Sequence, residues 1–319
     1  MWKTILRRVL IMIPQIIILS ILVFMLAKAM PGDPFTGSIG PNTDPKQIVA
    51  LKRAAGLYDP WYQQYWHWIV NLFHGNLGES YTLKQPVTAV LGNRISNTIW
   101  LSLLTLIISY AVAIPLGMTA GRYEGSRRDR GIVIFNFITF GVPTFVVFLL
   151  GLFLFGYQLG WFPTTGTISA DASGFIGEAL SRLNHMILPA ILAGILGTTS
   201  TIQYLRSEII DSKSQDYVRT ARAKGVPTNK VYSRHIFRNS LLPIAAFAGF
   251  QITGLIGGSI IVETVFSYPG MGQLFVSSIT SRDYSVVTAI VLFTGILALL
   301  GSLLSDIIMS IVDPRIRIE

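Results

Sequence analysis

The sequence has 319 residues, of which 51% are hydrophobic and 13% are charged, with a formal net charge of +9 and no cysteine. Soluble domains usually contain about 25% charged residues, so this composition excludes an ordinary water-soluble protein and indicates the lipid bilayer as the main solvent. Without cysteine, disulfides and thiolate metal sites are excluded as well.

The first apolar segment follows three basic residues near the N-terminus, Lys3, Arg7 and Arg8. A secretory signal would have a shorter apolar run and a cleavage site of small residues, which residues 30–33 (MPGD) do not provide. We therefore predict that this segment is retained as a first membrane helix.

Six segments lack charged residues over a length that can cross the hydrocarbon core, which takes about 20 helical residues. They are residues 9–27, 95–121, 131–170, 183–205, 239–262 and 284–305. The third is long enough for one helix and an additional re-entrant or surface segment. The sequence predicts an all-α, polytopic transmembrane bundle with six spans.

The basic residues are distributed unequally between the two sides of this bundle. If the N-terminus is cytoplasmic, 17 of the 25 lysines and arginines fall on the inner side, in residues 1–8, 122–130, 206–238 and 306–319. This is the positive-inside pattern, and it predicts that both termini are cytoplasmic. The net charge then reflects topology and nearby anionic lipid, not nucleic-acid binding.

The predicted domains follow from these spans. Residues 1–30 form the N-terminus and first helix, 31–94 an extracytoplasmic segment, 95–312 a five-helix core and 313–319 a cytoplasmic tail. Within residues 31–94 we predict short helices at 46–55 and 61–73, separated by Xaa-Pro pairs that disfavour helix. The second is rich in Trp and Tyr, which is typical of a membrane-interface belt, with a ligand-stacking surface as the alternative.

Two pairs of glycines have the four-residue spacing at which helix backbones can approach closely. These pairs are Gly117 with Gly121 and Gly254 with Gly258. We predict that both mark helix packing.

The inner loop at 206–238 is predicted to contain a helix, a break and a second helix. Ser214 or Asp216 can cap the first helix, in which Tyr217 and Ala221 share one face. Gly225 offers a left-handed stop after Lys224.

After Pro227, which prevents continuation, Thr228 can cap the second helix. There Val231, Tyr232 and His235 share a face. Such a short, basic, alanine-bearing helix suits docking into a groove of another protein. It equally suits an anionic lipid surface. The residues alone leave both interpretations open.

Two neighbouring segments closely resemble the coupling-loop or EAA signature of ABC importer permeases. They are residues 216–225 (DYVRTARAKG) and 238–243 (RNSLLP). The general signature has Glu-Ala-Ala where this chain has Arg219, Thr220 and Ala221. These departures, and the longer spacing from Gly225 to Pro243, resemble the oligopeptide, dipeptide and nickel branch.

Other segments match the same family in order along the chain. They are residues 31–34 (PGDP), 76–80 (NLGES) with 86–87 (PV), 263–272 (ETVFSYPGMG) with 282–284 (RDY), and 313–317 (DPRIR). The long segment after the first span resembles that of the B-type subunit. Residues 263–283 correspond to the outer loop between the last two spans.

The resemblance implies the type I ABC importer permease, or MetI-like, fold in a bacterial cell membrane. It implies pairing with a homologous C-type permease, two cytoplasmic ATPases that bind ATP and Mg²⁺, and an extracytoplasmic binding protein that delivers peptide. The residues that it implies in ATPase coupling are Asp216, Tyr217, Arg219, Thr220, Ala221, Arg222, Ala223, Lys224 and Gly225.

No catalytic, cofactor-binding or metal-binding residue is predicted in this chain. It lacks a P-loop, so ATP chemistry is assigned to partners. The four histidines, His67, His74, His185 and His235, lack metal-ligand spacing. A membrane hydrolase would need a nucleophile and base within the bilayer, and none is indicated.

The expected cargo is an oligopeptide, with a dipeptide or nickel as alternatives. An ion-coupled carrier is less favoured because Glu263 and Asp306 fall at the edges of spans. The polar span residues Gln203, Gln251 and Thr253, and also Asn136, either line the path or bond between helices.

Overall fold

Helices dominate the part of the chain that the computed structural model describes, which comprises residues 2–29, 49, 53, 58–80 and 82–312. Between residues 58 and 312, residue 81 aside, non-helical backbone pairing is limited to one isolated antiparallel bridge between Glu79 and Pro86. The helix predicted at 46–55, apart from residues 49 and 53, and the signature segments 31–34 and 313–317 lie outside the described residues.

Seven α-helices lie between residues 2 and 212 in the described part of the chain. They are α1 (Trp2–Ala29), α2 (Trp61–Phe73), α3 (Val87–Arg122), α4 (Arg127–Gly141), α5 (Thr144–Gly151), α6 (Gly174–Leu196) and α7 (Thr198–Ser212). A π-helical segment, Leu152–Gln158, extends α5. The helix predicted at 61–73 is present as α2.

The second half combines short helices with two apolar ones. They are α8 (Asp216–Ala223), α9 (Thr228–Lys230), α10 (Phe237–Ser240), α11 (Leu242–Gly257), α12 (Ile260–Val265), α13 (Met271–Thr280) and α14 (Tyr284–Val312). A second π-helical segment, Val231–Ile236, connects α9 to α10.

Helix length and composition support a multi-pass membrane bundle. Four helical stretches are long and apolar enough to cross a bilayer: Ile5–Ala29, Val87–Arg122, Gly174–Ser212 and Tyr284–Ile311. A fifth candidate is the pair Arg127–Gly141 and Thr144–Gln158, which is bent by 92°. The predicted span at 239–262 instead contains the 16-residue α11 and, after a break, α12.

The bend in the 131–170 segment has a local cause. Val142 precedes Pro143 and adopts an extended conformation, with φ −88° and ψ 129°. A residue before proline is disfavoured in the helical region, so the helix ends there and restarts after the proline. This agrees with the expected division of the segment into a helix and a second apolar piece.

The predicted span at 183–205 is longer in the structure, because α6 and α7 form one helical stretch from Gly174 to Ser212. Residues 206–212 were placed in the inner loop because they are charged. Ile209 of this segment is only 1% exposed, so its burial continues the helix beyond the uncharged run.

The first glycine pair packs α3 against α7, as predicted. An added Cβ at Gly121 would lie 2.7 Å from Cβ of Ile209, and one at Gly117 would lie 3.0 Å from Cβ of Leu205. Only glycine permits this separation of the two helices. The coupling segment therefore follows a helix that is closely packed on α3.

The second glycine pair has a different role. A Cβ at Gly254 would meet nothing within 4 Å. Gly258 ends α11 with a φ of +74°, and a Cβ there would lie 2.8 Å from Cγ2 of Thr98 in α3. The close contact of α11 with α14 instead uses Gly249, where an added Cβ would lie 2.5 Å from the carbonyl oxygen of Gly301. The predicted packing role is therefore wrong for Gly254 within this chain, whereas Gly258 does pack closely against α3.

The loops between helices gather at two ends of the bundle. The beginnings of α3 and α14 pack together through Val87 and Val286, so the two helices end on the same side. Arg8 of α1 lies 3.0 Å from Asp306 near the end of α14, which places the start of α1 there too. We call this side, with residues 5–8, 122–130, 206–240 and 306–311, the basic end.

At the opposite end, Glu263 is fully buried and caps the N-terminus of α13. Its Oε2 accepts hydrogen bonds from the backbone N–H groups of Gly272 (2.6 Å) and Gln273 (3.1 Å). Thr98 of α3 donates to Oε1 (3.0 Å) and accepts from the backbone N–H of Met271 (2.8 Å). The predicted outer loop is thereby tied to α3, and this carboxylate is engaged in a helix cap.

A second contact ties the segment before α3 to the start of α14. The hydroxyl of Ser80 and the backbone N–H of Thr82 both donate to Oδ2 of Asp283. Ser80 also pairs with Gln85 through a backbone hydrogen bond of 2.9 Å. Two of the family signatures, 76–80 and 282–284, are thus in direct contact.

Candidate coupling site and polar grooves

Helix α8 has one buried face that holds it against the bundle. Val218 is fully buried and Ala221 is 6% exposed, in a cluster with Leu205 and Ile209 of α7. Tyr217, predicted to share the face of Ala221, is instead 37% exposed. The side chain of Ala221 therefore packs within this chain.

The remaining candidate residues of α8 and its C-terminal turn all face outward. They are Asp216, Tyr217, Arg219, Thr220, Arg222, Ala223, Lys224 and Gly225. Arg219 lies 3.6 Å from Asp216 in an exposed ion pair, which contributes little to stability. This outward surface, which we call the α8 face, carries three cations and one carboxylate.

The turn after α8 is a Schellman motif at Gly225, whose φ is +74°. Its N–H donates to the carbonyl oxygen of Arg222 (2.9 Å), and the N–H of Val226 donates to that of Ala221 (3.2 Å). This pair of bonds requires a left-handed backbone conformation at residue 225, which glycine adopts most easily. The predicted stop is confirmed.

The predicted side-chain caps of the two helices are wrong. Gln215 precedes α8 without a side-chain cap, and the hydroxyl of Ser214 donates to the carbonyl oxygen of Asp211 (2.8 Å). Pro227 occupies the cap position of α9, so Thr228 is already the first helical residue. The fixed φ of proline supplies the start of this helix without a capping hydroxyl.

The segment after α9 is anchored to the end of α3. Val231 and Tyr232 are buried, as their predicted face required, while His235 is only partly buried. The guanidinium of Arg122 donates to Oδ1 of Asn229 (2.6 Å) and lies 4.9 Å from the ring centre of Tyr232. The two helices after the Gly225 turn are therefore connected to α3 as well as to α7.

A buried ion pair, which the sequence analysis did not identify, joins α4 to α7. Asp129 is 3% exposed and accepts two hydrogen bonds from Arg206, at 2.7 and 2.9 Å. It also accepts from the backbone N–H of Gly125 (2.8 Å). The hydroxyl of Ser126 accepts a hydrogen bond from the N–H of Asp129. This Ser-x-x-Asp spacing is the sequence signal that could have singled out Asp129, because it is typical of the start of a helix.

Gln203 lines a groove of about 720 Å³ between α4 and α7. Its other lining residues are Asn136, Phe137, Phe140, Thr199, Ser200, Tyr204, Ser207 and Glu208. Gln203 is exposed to this groove, and Asn136 is 1% exposed at its wall. The structure thus brings two of the polar candidates together.

Gln251 lines a second groove of about 520 Å³, formed by α3, α5, α6, α7, α11 and α12. Thr253 does not join it, because its hydroxyl donates to the carbonyl oxygen of Gly249 within α11. The same hydroxyl faces α14, where a Cβ at Gly301 would lie 2.3 Å from it. Thr253 therefore belongs to helix packing, the second of its two predicted roles.

Comparison with known proteins defines the class of this bundle. The family described as the binding-protein-dependent transport system inner membrane component matches residues 113–318. The N-terminal component of the same kind of transport system matches residues 1–102. The chain belongs to this family of ABC importer permeases, and its fold is the MetI-like fold, as the signatures predicted.

Curated relatives cover almost the whole chain. The chain is similar to the oligopeptide transport system permease protein AppB of Bacillus subtilis, with 38% identity over 98% of each chain. A putative peptide transport system permease protein of Brucella abortus is 37% identical over 100% of both chains. The glutathione transport system permease protein GsiC of Salmonella typhimurium is 33% identical over 99% of both. These matches support a multi-pass inner-membrane permease component for peptide transport.

Proposed function

We propose that this chain is the B-type permease subunit of an oligopeptide importer and that the α8 face couples it to a cytoplasmic ATPase. The observation that supports this most directly is the division of α8 into two sides. Val218 and Ala221 fix the helix to its own bundle, and the cationic opposite side is exposed. Arginine and lysine at the rim of such a surface complement carboxylates of another protein.

The packing behind α8 explains how a displacement of the helix would move the bundle. Its buried residues contact α7, which packs on α3 at Gly117 and Gly121 and is held to α4 by the Asp129–Arg206 pair. A pull on the α8 face therefore acts on three long helices together. For ATP to drive transport, the α8 face must bind the two arrangements of the ATPases with different free energies.

The proposed assembly contains this chain, a homologous C-type permease, two ATPases and an extracytoplasmic binding protein. ATP and Mg²⁺ are bound by the ATPases, and this chain performs no hydrolysis. The basic end faces the cytoplasm, with both termini, because arginine and lysine are retained on that side of a membrane.

The cargo we propose is an oligopeptide, which reaches the path through the binding protein. One relative is described as an oligopeptide permease and another as a glutathione permease, so short peptides fit the group best. Dipeptides and nickel remain the alternatives within the family. An ion-coupled carrier is less favoured, because Glu263 caps α13 and Asp306 lies beside Arg8.

Cysteine cross-linking tests the coupling role directly, since the chain has no native cysteine. We would introduce Ala223→Cys on the α8 face and, as the control, Thr280→Cys at the exposed end of α13. The complex would be purified through a tag on this chain and treated with a thiol-to-amine cross-linker. We expect the ATPase to be captured from residue 223 and not from residue 280.

Capture should also change with nucleotide, because the α8 face moves when the ATPases close. Failure to capture an ATPase from residue 223, in a complex that contains one, would contradict the proposed docking.

A further inference from the structure

The groove between α4 and α7 contains two polar groups whose bonding capacity is not used. Neither polar atom of the Asn136 side chain has a hydrogen-bond partner among the described residues, although this side chain is only 1% exposed. Unpaired buried amides are uncommon, because each missing hydrogen bond carries a desolvation penalty. Both atoms are themselves closed to the groove, and the side-chain amide that an occupant would meet is that of the exposed lining residue Gln203.

The second group is the carboxylate of Glu208, which is partly buried at the same groove. Glu208 makes no hydrogen bond or ion pair with any residue in the described part of the chain. The cation of α7 and the one directly after it are already engaged, Arg206 with Asp129 at 2.7 Å and Lys213 with Glu124 at 3.3 Å. Glu208 is therefore the uncompensated negative charge that α7 presents to the groove.

The remaining walls combine polar and aromatic surface. Thr199, Ser200, Gln203 and Ser207 follow one side of α7, and Phe137, Phe140 and Tyr204 lie beside them. A polar stripe of this kind is costly against lipid, so it indicates contact with a polar occupant. The aromatic rings offer an apolar surface that peptide side chains of different types can contact.

From this combination we infer that the groove binds the N-terminal end of a peptide, with its ammonium group at Glu208 and a backbone amide at Gln203. The inference rests on the proposed peptide cargo and adds the part of the peptide that this subunit recognises. A carboxylate complements an ammonium group, and a side-chain amide complements the N–H and C=O of a backbone amide. Neither contact depends on the side chains of the peptide.

The test measures occupancy of the groove directly in the whole transport complex, without the binding protein. A peptide with a free N-terminus and a photoreactive phenylalanine derivative is compared with its N-acetylated form. Each is titrated against the wild-type complex, Glu208→Gln and Glu178→Gln, the last being the same exchange at an exposed position outside the groove. The concentration for half-maximal labelling of this chain is recorded, together with the labelled residues.

For the free peptide we expect Glu208→Gln to raise the half-maximal concentration by about tenfold, since a hydrogen bond between charged groups is lost. For the acetylated peptide the same exchange should change it by less than about twofold, and Glu178→Gln should change neither. The label should fall on residues that line the groove. Gln203→Leu should weaken both peptides alike, because both carry backbone amides.

Equal effects of Glu208→Gln on both peptides, or no labelling of the wild-type groove, would overturn the inference. Loss of the second permease from the Glu208→Gln complex would overturn it too, and would identify the groove as a contact between subunits. Cross-linking of residue 223 to the ATPase is measured in the same samples. If residue 223 still cross-links but the groove is not labelled, only the peptide site is contradicted. If the groove is labelled but residue 223 does not cross-link, only the coupling role is contradicted.

Discussion

At the scale of single residues, two neighbouring alanines of α8 have opposite surroundings. Ala221 is 6% exposed and packs on α7, whereas Ala223 is exposed on the α8 face. Sequence reasoning assigned both to close approach of a partner, because alanine is small in either setting. The tertiary packing separates them into a structural residue and a surface residue.

This difference predicts distinct effects of the same substitution. Ala221→Asp places a carboxylate without a cationic partner in an apolar cluster and should lower the free energy of unfolding by about 3 kcal/mol. Ala223→Asp should leave thermal unfolding unchanged and reduce the amount of ATPase that co-purifies, because it adds negative charge to a cationic surface. Thermal denaturation in detergent and quantitative co-purification provide the two measurements.

If Ala221→Asp proved as stable as the wild type, the burial of α8 against its own bundle would be wrong. If Ala223→Asp retained the full amount of ATPase, residue 223 would lie outside the docking contact.

At the scale of elements, the Gly225 turn sets the angle at which α8 leaves the bundle. A Cβ at Gly225 would meet nothing within 4 Å, so a larger side chain is not blocked by a neighbour. The constraint is the backbone, because a left-handed conformation costs about 1–2 kcal/mol for a residue with a Cβ. Substitution of Gly225 should therefore change the conformation of the turn and leave the packing of the bundle unchanged.

We expect Gly225→Leu to insert normally but to transport less peptide per ATP hydrolysed, since the two carbonyl contacts of the Schellman motif are strained. Gly225→Asn should be affected less, because asparagine tolerates the left-handed region better than other side chains. Gly92→Leu is the matched control, with open space around its Cβ and no positive φ. Uptake and ATPase activity in vesicles measure the ratio, and unchanged peptide-stimulated uptake in Gly225→Leu would refute a role of the turn in coupling.

At the scale of the whole molecule, much apolar and polar surface is left uncovered by a single chain. Phe137 is 69% exposed and Phe140 is 81% exposed beside the groove of α4 and α7, and Gln251 faces a second open groove. Lipid can cover the phenylalanines, but the polar grooves need a partner or a path. A single copy is therefore incomplete as a conduit.

We predict that a tagged form of this chain co-purifies with one homologous permease and two ATPases. Because one coupling helix is proposed for each permease, the number of ATPases should equal the number of permeases. Quantitative mass spectrometry of the purified complex measures the ratio. Recovery of a stable complex of this chain with itself alone, active in transport, would contradict the assembly.

The sequence by itself determined the features that depend on local chemistry. Apolar segments longer than about 20 residues predict membrane helices wherever they occur. The excess of basic residues on one side of the spans predicts which side is cytoplasmic. Gly225 before Pro227 predicts the end of a helix, because few residues other than glycine adopt a left-handed conformation. The order of the signature segments identified the family, which the comparisons confirm.

The tertiary structure alone decided which of these segments touch. Asp129 and Arg206 are 77 residues apart, Thr98 and Glu263 are 165 apart, and Ser80 and Asp283 are 203 apart, yet each pair is hydrogen-bonded. The same holds for the inward face of Ala221 and for the groove that gathers Asn136 and Glu208. Local signals such as Gly225 and Pro143 can end a helix, but the side that a helix buries depends on the neighbours that the folded bundle places beside it.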